Sequence, residues 1–251
     1  MALTLGLALL ALGDPGAVPL LAALAERHDV QEVWLGLAAA QRRQGALAAA
    51  AASLAAALSR HVVAEPRPLT SLATELAART GAPGWCGLRR DGTLVLGGGG
   101  DGRSRVTVDG APLRGRRVPA AAREVAVTRD GMHLLGSPIQ AAQLRRVEGV
   151  VTARDGVLEG WAWHPADAGR DPELTLIPLG GGPARRLTAR DTDMPTPRPL
   201  ARPRRFTLAG LDQAVRVVGA DGRELAGSPL DPGLERRAAA AAARAVARAL
   251  P

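Results

Sequence analysis

The hydrophobic period of this chain changes along its length, and the changes mark out its elements. Up to about residue 62, Leu and Ala recur three and four positions apart. Gly13-Asp14-Pro15, His28-Asp29 and Gln44-Gly45 break that pattern at the spacing of successive helical hairpins. Pro66 and Pro68 set off a further helix over 69–79, with Leu69, Leu72 and Leu76 on one face, and Thr80-Gly81-Ala82-Pro83-Gly84 ends helical structure. From Trp85 the pattern becomes short apolar runs between glycine turns. Strands are expected at 85–88, 94–96, 106–108, around Leu113, 125–128 and 133–135, with hairpin turns at Asp91-Gly92, Asp109-Gly110 and Asp130-Gly131. Residues 140–146 read as a link. Strands resume near 147–152, 157–163, 174–179, 186–189, 206–208, 215–218 and 224–226, and the Pro- and Arg-rich stretch 191–205 reads as a loop. Asp231-Pro232-Gly233 opens an Ala-rich helix over 234–250, with Arg237, Arg244 and Arg248 on its solvent side.

The most legible stretch is 147–165, VEGVVTARDGVLEGWAWHP. Asp155-Gly156 signals a tight turn; after it Val157, Glu159, Trp161 and Trp163 share one strand face while Leu158, Gly160 and Ala162 share the other. The chain also echoes itself. TRDGMHLLGSPI at 128–139 matches GADGRELAGSPL at 219–230, 91 positions on, and VAV at 125–127 matches VRV at 215–217. Arg90-Asp91-Gly92-Thr93-Leu94 likewise parallels Arg154-Asp155-Gly156-Val157-Leu158. Two copies of one β module explain this economically.

Composition sharpens the picture in three ways. The 251 residues suffice for two or three small domains, and 47% hydrophobic residues with 2% aromatic require aliphatic cores of Leu and Val. The net charge of +8 and isoelectric point near 11.4 would ordinarily suggest an anionic partner. Yet every basic residue is Arg, and Lys, Asn and Tyr are absent, as a GC-rich coding sequence produces; no nucleic-acid partner is expected. The densest cluster, RPLARPRR at 198–205, is interrupted by prolines and has only Phe206 beside it, so it offers no base-stacking platform and reads as a solvated linker. A lone Cys86 excludes an internal disulfide and suits a reducing compartment. The N-terminal apolar run lacks a positive leader and leads into more helix, and no run approaches the roughly 18 residues of a transmembrane segment, so a cytoplasmic location is expected.

Candidate chemistry is sparse. His28, His61, His133 and His164 lie on four different elements without ligand spacing, and Gly97–Gly102 lacks the Lys and the following helix of a phosphate cradle. Asp191-Thr192-Asp193 has the Asp-x-Asp form that holds a divalent metal in many glycosyltransferases, but its β-rich, Pro-rich setting favours an acidic turn. No cofactor is expected. Trp161 and Trp163 pose the one close contest. Indoles two apart can form a platform for sugar rings, with Glu159 and Arg170 as polar partners, or they can fill a core that has almost no other aromatics.

Two resemblances add context. From Trp34 the chain resembles a tetratricopeptide repeat, with Trp34 and Leu37 in the first helix, a turn at Gly45, and Ala50, Leu54 and Ala57 in the second. A weaker copy runs through Leu5-Gly6, Gly13 and Ala25. Two such repeats are fewer than the roughly three that stack stably alone, so the helices are expected to pack on the segments C-terminal to them or to be part of a longer array. Gly84-Trp85-Cys86-Gly87-Leu88, Val147-Glu148-Gly149, Gly160-Trp161-Ala162-Trp163-His164-Pro165 and Gly227-Ser228-Pro229-Leu230 together resemble the accessory region ahead of family-2 glycosyltransferase domains in GC-rich proteobacteria. That resemblance implies a transferase domain after Pro251 and a protein or polysaccharide partner.

The expected architecture is an α+β multidomain chain: a tetratricopeptide-like helical region (1–80), two small antiparallel β-sandwich-like modules (84–140 and 147–230) and a C-terminal helix (232–251). The expected role is a non-catalytic scaffold serving a glycosyltransferase. The alternatives are a carbohydrate-binding module using Trp161 and Trp163, and a transferase with Asp191 and Asp193 at its metal.

Overall fold

A computed structural model describes residues 2–63, 66–99, 102–154, 156–192 and 200–249. It is a mixed α/β chain that divides into two compact units, Met1–Leu144 with Pro165–Asp167, and Arg145–His164 with Ala168–Pro251. Among the described residues, no helix is long and apolar enough to cross a membrane.

The first unit opens with α1 (Ala2–Leu12), α2 (Ala17–Arg27), α3 (Gln31–Arg43), α4 (Leu47–Arg60) and α5 (Pro66–Thr80), each packed on the next. Glycine sets the turn after α3. Gly45 takes φ 78°, and the Ala46 N–H then reaches back to the Gln41 carbonyl at 2.9 Å, satisfying an end-of-helix acceptor. The same closure ends α1, Asp14 to Leu9 at 2.9 Å, and α5, Ala82 to Ala77 at 2.9 Å. Helix α5 begins three residues before its expected start, because the fixed φ and missing N–H of Pro66 fit a first turn. Buried Ala17, Ala38, Ala50, Ala57 and Ala73 let the helices close around Leu21, Leu54, Leu58 and Leu76.

The strands of this unit are β1 (Trp85–Leu88), β2 (Leu94–Gly97), β3 (Ser104–Val108), β4 (Ala111–Pro112), β5 (Val125–Arg129) and β6 (Met132–His133); a four-residue helix α6 (Ala141–Leu144) stands where the sequence suggests only a link. Strand β1 is buried on both of its faces. Trp85 turns toward Leu54, Leu58 and Leu76 of the helices, and its indole N–H donates to Thr74 Oγ1 at 3.0 Å. Cys86, Leu88 and Leu94 turn the other way and share a core with Val125 and Val127 of the β4-β3-β5-β6 sheet. Alternation along the strand separates these side chains onto its two faces. Pro165–Asp167 belongs to this unit: the Val62 N–H donates to the Ala166 carbonyl at 3.0 Å, and Arg90 donates to both oxygens of buried Asp167 at 2.6 and 2.7 Å.

The second unit contains β7 (Glu148–Arg154), β8 (Val157–Trp163), β9 (Glu173–Pro178), β10 (Arg185–Thr188), β11 (Arg204–Ala209), β12 (Val215–Gly219) and α7 (Leu234–Ala249). Arg204 and Arg205, expected in a linker, stand on β11. The sheets are β11-β8-β7 and β10-β9-β12, and Val151, Leu158, Ala162 and Phe206 of the first share one core with Leu174, Leu176, Val215 and Val217 of the second.

The sequence echo is a structural one. The Val127 N–H donates to Ser137 Oγ at 2.8 Å and the Val217 N–H to Ser228 Oγ at 2.9 Å. Val125 bridges Ile139 and Val215 bridges Leu230, both antiparallel; Trp85 bridges Leu135 and Val150 bridges Ala226, both parallel. Both Ser-Pro peptides are cis. The strand orders β4-β3-β5 and β10-β9-β12 correspond as well.

Candidate functional site

Strand β8 builds the candidate site by simple alternation. Leu158 and Ala162 are fully buried in the core of the second unit, so Glu159 and Trp161 stand on the other face of the sheet. The register completes that face. Trp161 lies opposite Val150 of β7 and Arg205 of β11, and Glu159 lies opposite Thr152 and Thr207. Val150, Thr152, Glu159, Gly160, Trp161 and Arg205 line a groove of about 310 Å³.

Gly160 makes this packing possible. A Cβ at that position would stand 2.2 Å from the Val150 carbonyl oxygen and 2.8 Å from Phe206 Cζ, so the three strands close only around a residue without one. The Trp161 indole is partly exposed, and its N–H has no partner among the described residues. Beside it Arg205 Nη2 lies 3.5 Å from Glu159 Oε2, and the Thr152 hydroxyl donates to the Glu159 carbonyl at 3.3 Å. Such a surface offers an apolar ring face flanked by one cation, one carboxylate and hydroxyl groups. It can stack on the C–H face of a ring while hydrogen-bonding its substituents.

The structure separates the four residues grouped from sequence. Trp161 and Glu159 line the groove together. Trp163 does not: it is 7% exposed, and its indole N–H donates to Glu148 Oε2 at 3.4 Å, so it is a core residue at the edge of the sheet. Arg170 is not among the lining residues. Arg205 takes the cationic place instead. The signal for it lies in the alternation of Arg205 and Thr207 with apolar Phe206 and Leu208, which reading 191–205 as a loop obscures.

Burial pushes the Cys86 thiol pKa up to about 12, which keeps it protonated and unreactive. Buried His61 has Nε2 3.3 Å from Asp29 Oδ1, to which the Trp34 indole N–H also donates at 2.8 Å. Burial raises the Asp29 pKa, but the His61 and Trp34 hydrogen bonds and the nearby charges of His61 and Arg60 outweigh it and leave the carboxyl below its ordinary value. His133 Nδ1 lies 2.9 Å from Ser137 Oγ. Among the described residues, no three His, Cys, Asp or Glu side chains converge as a metal site. Asp191 is paired through its backbone with Arg205, whose N–H donates to the Asp191 carbonyl at 2.6 Å; Asp193 lies outside the described residues.

No family model matches this chain, and no curated protein or solved structure is significantly similar to it.

Proposed function

We propose that this chain is a non-catalytic cytoplasmic accessory to a family-2 glycosyltransferase of cell-surface polysaccharide synthesis, and that its second unit binds the glycan through Trp161. The observation that carries the glycan reading is the groove on the outer face of the β11-β8-β7 sheet, where a partly exposed indole stands beside the Glu159–Arg205 pair. A pyranose ring stacks on the indole, and its hydroxyls bond to the carboxylate, the guanidinium and Thr152. In this reading α1–α4 are two tetratricopeptide-like hairpins, and each pair of sheets sharing a core is a small sandwich. Leu5 and Leu12 of α1, 55% and 82% exposed, give the helical region an apolar face for a protein partner.

The test is tryptophan fluorescence titrated with a panel of bacterial polysaccharides. One glycan is expected to shift the emission of the wild type and of Trp163→Phe, and Trp161→Ala is expected to bind about tenfold weaker or worse, a loss of roughly 1.4 kcal/mol. Equal binding by Trp161→Ala, or no response to any glycan, overturns the glycan reading. The accessory reading fails if the chain alone shows Mn²⁺-dependent sugar transfer that Asp193→Ala abolishes.

A further inference from the structure

The two copies of the β module differ at the strand that closes the sheet, and a cavity of the first unit lies at that place. In the second copy β11 completes the sheet beside β8, and its inward side chains, Phe206 and Leu208, lie opposite Gly160 and Leu158. Phe206 is 4% exposed and packs in the core, with Leu208 against it. In the first copy the matching strand is reduced to one bridge, Thr93 to Arg117, with the Leu94 N–H donating to the Arg116 carbonyl at 2.7 Å and the Val118 N–H to the Gly92 carbonyl at 2.9 Å. Leu94 corresponds to Leu158, so Arg116 corresponds to Leu208 and Arg114 to Phe206. The two apolar plugs of one copy are arginines in the other.

What remains open is a cavity of about 510 Å³, within the range of small-molecule sites. Its walls include Leu94, Leu96, Val106 and Leu113, all part of or packed against the first unit's β core. Arg116 and Arg129 also line it. The bridge places Arg116 on the same side of its strand as Leu94, and its exposed side chain stands at the mouth of the cavity. Its side chain has no hydrogen bond among the described residues. Arg129 is held by the Pro83 and Gly98 carbonyls at 2.6 and 2.9 Å and by Ser104 Oγ at 3.2 Å, all neutral acceptors. Among the described residues, no carboxylate lines the cavity.

We propose that this cavity binds a small organic anion with an apolar body, an aryl or branched aliphatic carboxylate. Its hydrocarbon part takes the place that Phe206 and Leu208 occupy in the other copy, and its carboxylate lies against Arg116 and Arg129. Guanidinium groups match a carboxylate in charge and in planar geometry.

The test is calorimetric titration of the full chain with 3-phenylpropanoate and 4-methylpentanoate, alongside the neutral 3-phenylpropan-1-ol and inorganic phosphate. At least one of the two carboxylates is expected to bind, about tenfold or more tighter than the alcohol and than phosphate. NMR shifts should fall on the methyls of Leu94, Leu96, Val106 and Leu113 and not on Trp161. Arg116→Leu, which installs the residue of the other copy on an exposed backbone position, should lose at least about tenfold in affinity, and Arg116→Lys should recover part of it. Failure of both carboxylates to bind, equal binding of the alcohol or of phosphate, shifts elsewhere in the chain, or an unchanged affinity in Arg116→Leu would each overturn the proposal. The wild-type comparison of acid with alcohol stands whether or not the variant folds.

Discussion

Trp161→Ala and Trp163→Ala alter two residues on one face of one strand, yet they should differ in kind. Trp163 is 7% exposed, so nearly all of a side chain that buries about 150 to 250 Å² is withdrawn from water. At about 25 cal/mol per Å² this amounts to roughly 4–6 kcal/mol, and allowing for area already buried in the unfolded chain brings it to roughly 3–5 kcal/mol. The range expected for replacing a core tryptophan by alanine, about 3–5 kcal/mol, is the same. Trp161 is partly exposed and donates no hydrogen bond among the described residues, so its removal should cost only about 1 kcal/mol. Hydrogen exchange read by mass spectrometry on β7 and β8 peptides separates the two. Trp163→Ala should speed exchange there by about a hundredfold to several thousandfold, and Trp161→Ala by less than about tenfold. Peptides from α3 and α4 serve as the internal control. Equal acceleration by both variants, or none by Trp163→Ala, would refute the assignment of one indole to the core and the other to the groove.

Three further outcomes rest on the same geometry. Gly160→Ala should destabilise the second unit by roughly 2–3 kcal/mol, since a methyl 2.2 Å from the Val150 carbonyl forces β7 and β8 apart; a thermal midpoint within a degree of wild type would contradict this. Ser137→Ala and Ser228→Ala each strand one strand N–H, of Val127 and of Val217, and should cost about 1–3 kcal/mol apiece in urea unfolding, with closely matched values if the two modules are copies. The Asp29 carboxyl titrates below its unfolded value, so its contribution is complete above that value and is lost as pH falls through the lower folded one; the acid limb of thermal stability should be shallower in Asp29→Ala, and an identical limb would remove the carboxyl from the account.

Much of the fold can be read from pattern because each element has a local cause. Glycines at 13, 45 and 81 end helices, Asp-Gly and Gly-Ser-Pro punctuate strands, and the period shifts from about 3.6 to 2 at Trp85. The expected strands 85–88 and 157–163 are β1 and β8 to the residue. Boundaries fail where proline or a short run carries two meanings. Pro66 reads as a breaker and is a helix start, and 140–146 reads as a link although 141–144 makes a turn of helix. Which face of β1 meets which partner is also hidden, because WCGL is buried on both sides and carries no polar mark to orient it.

The site is less legible, and for a physical reason. Alternation places Trp161 and Trp163 on the same face, but a face is not uniform along a strand: Trp163 is paired with Glu148 at the end of the hairpin and covered, while Trp161 lies across from Arg205, a partner 44 positions away in sequence. Only strand pairing brings that arginine beside Glu159. The same holds between the modules. Leu94 and Leu158 look equivalent in sequence and are, but what each faces depends on the third strand, where Leu208 stands against one and Arg116 against the other. A duplicated scaffold keeps its turns, its Ser-to-amide bonds and its core leucines because both copies need them to fold. It is then free to differ on the strand that closes the sheet: there Phe206 and Leu208 pack into the core of the second copy, while in the first copy Arg116 stands at the matching place and lines an open cavity.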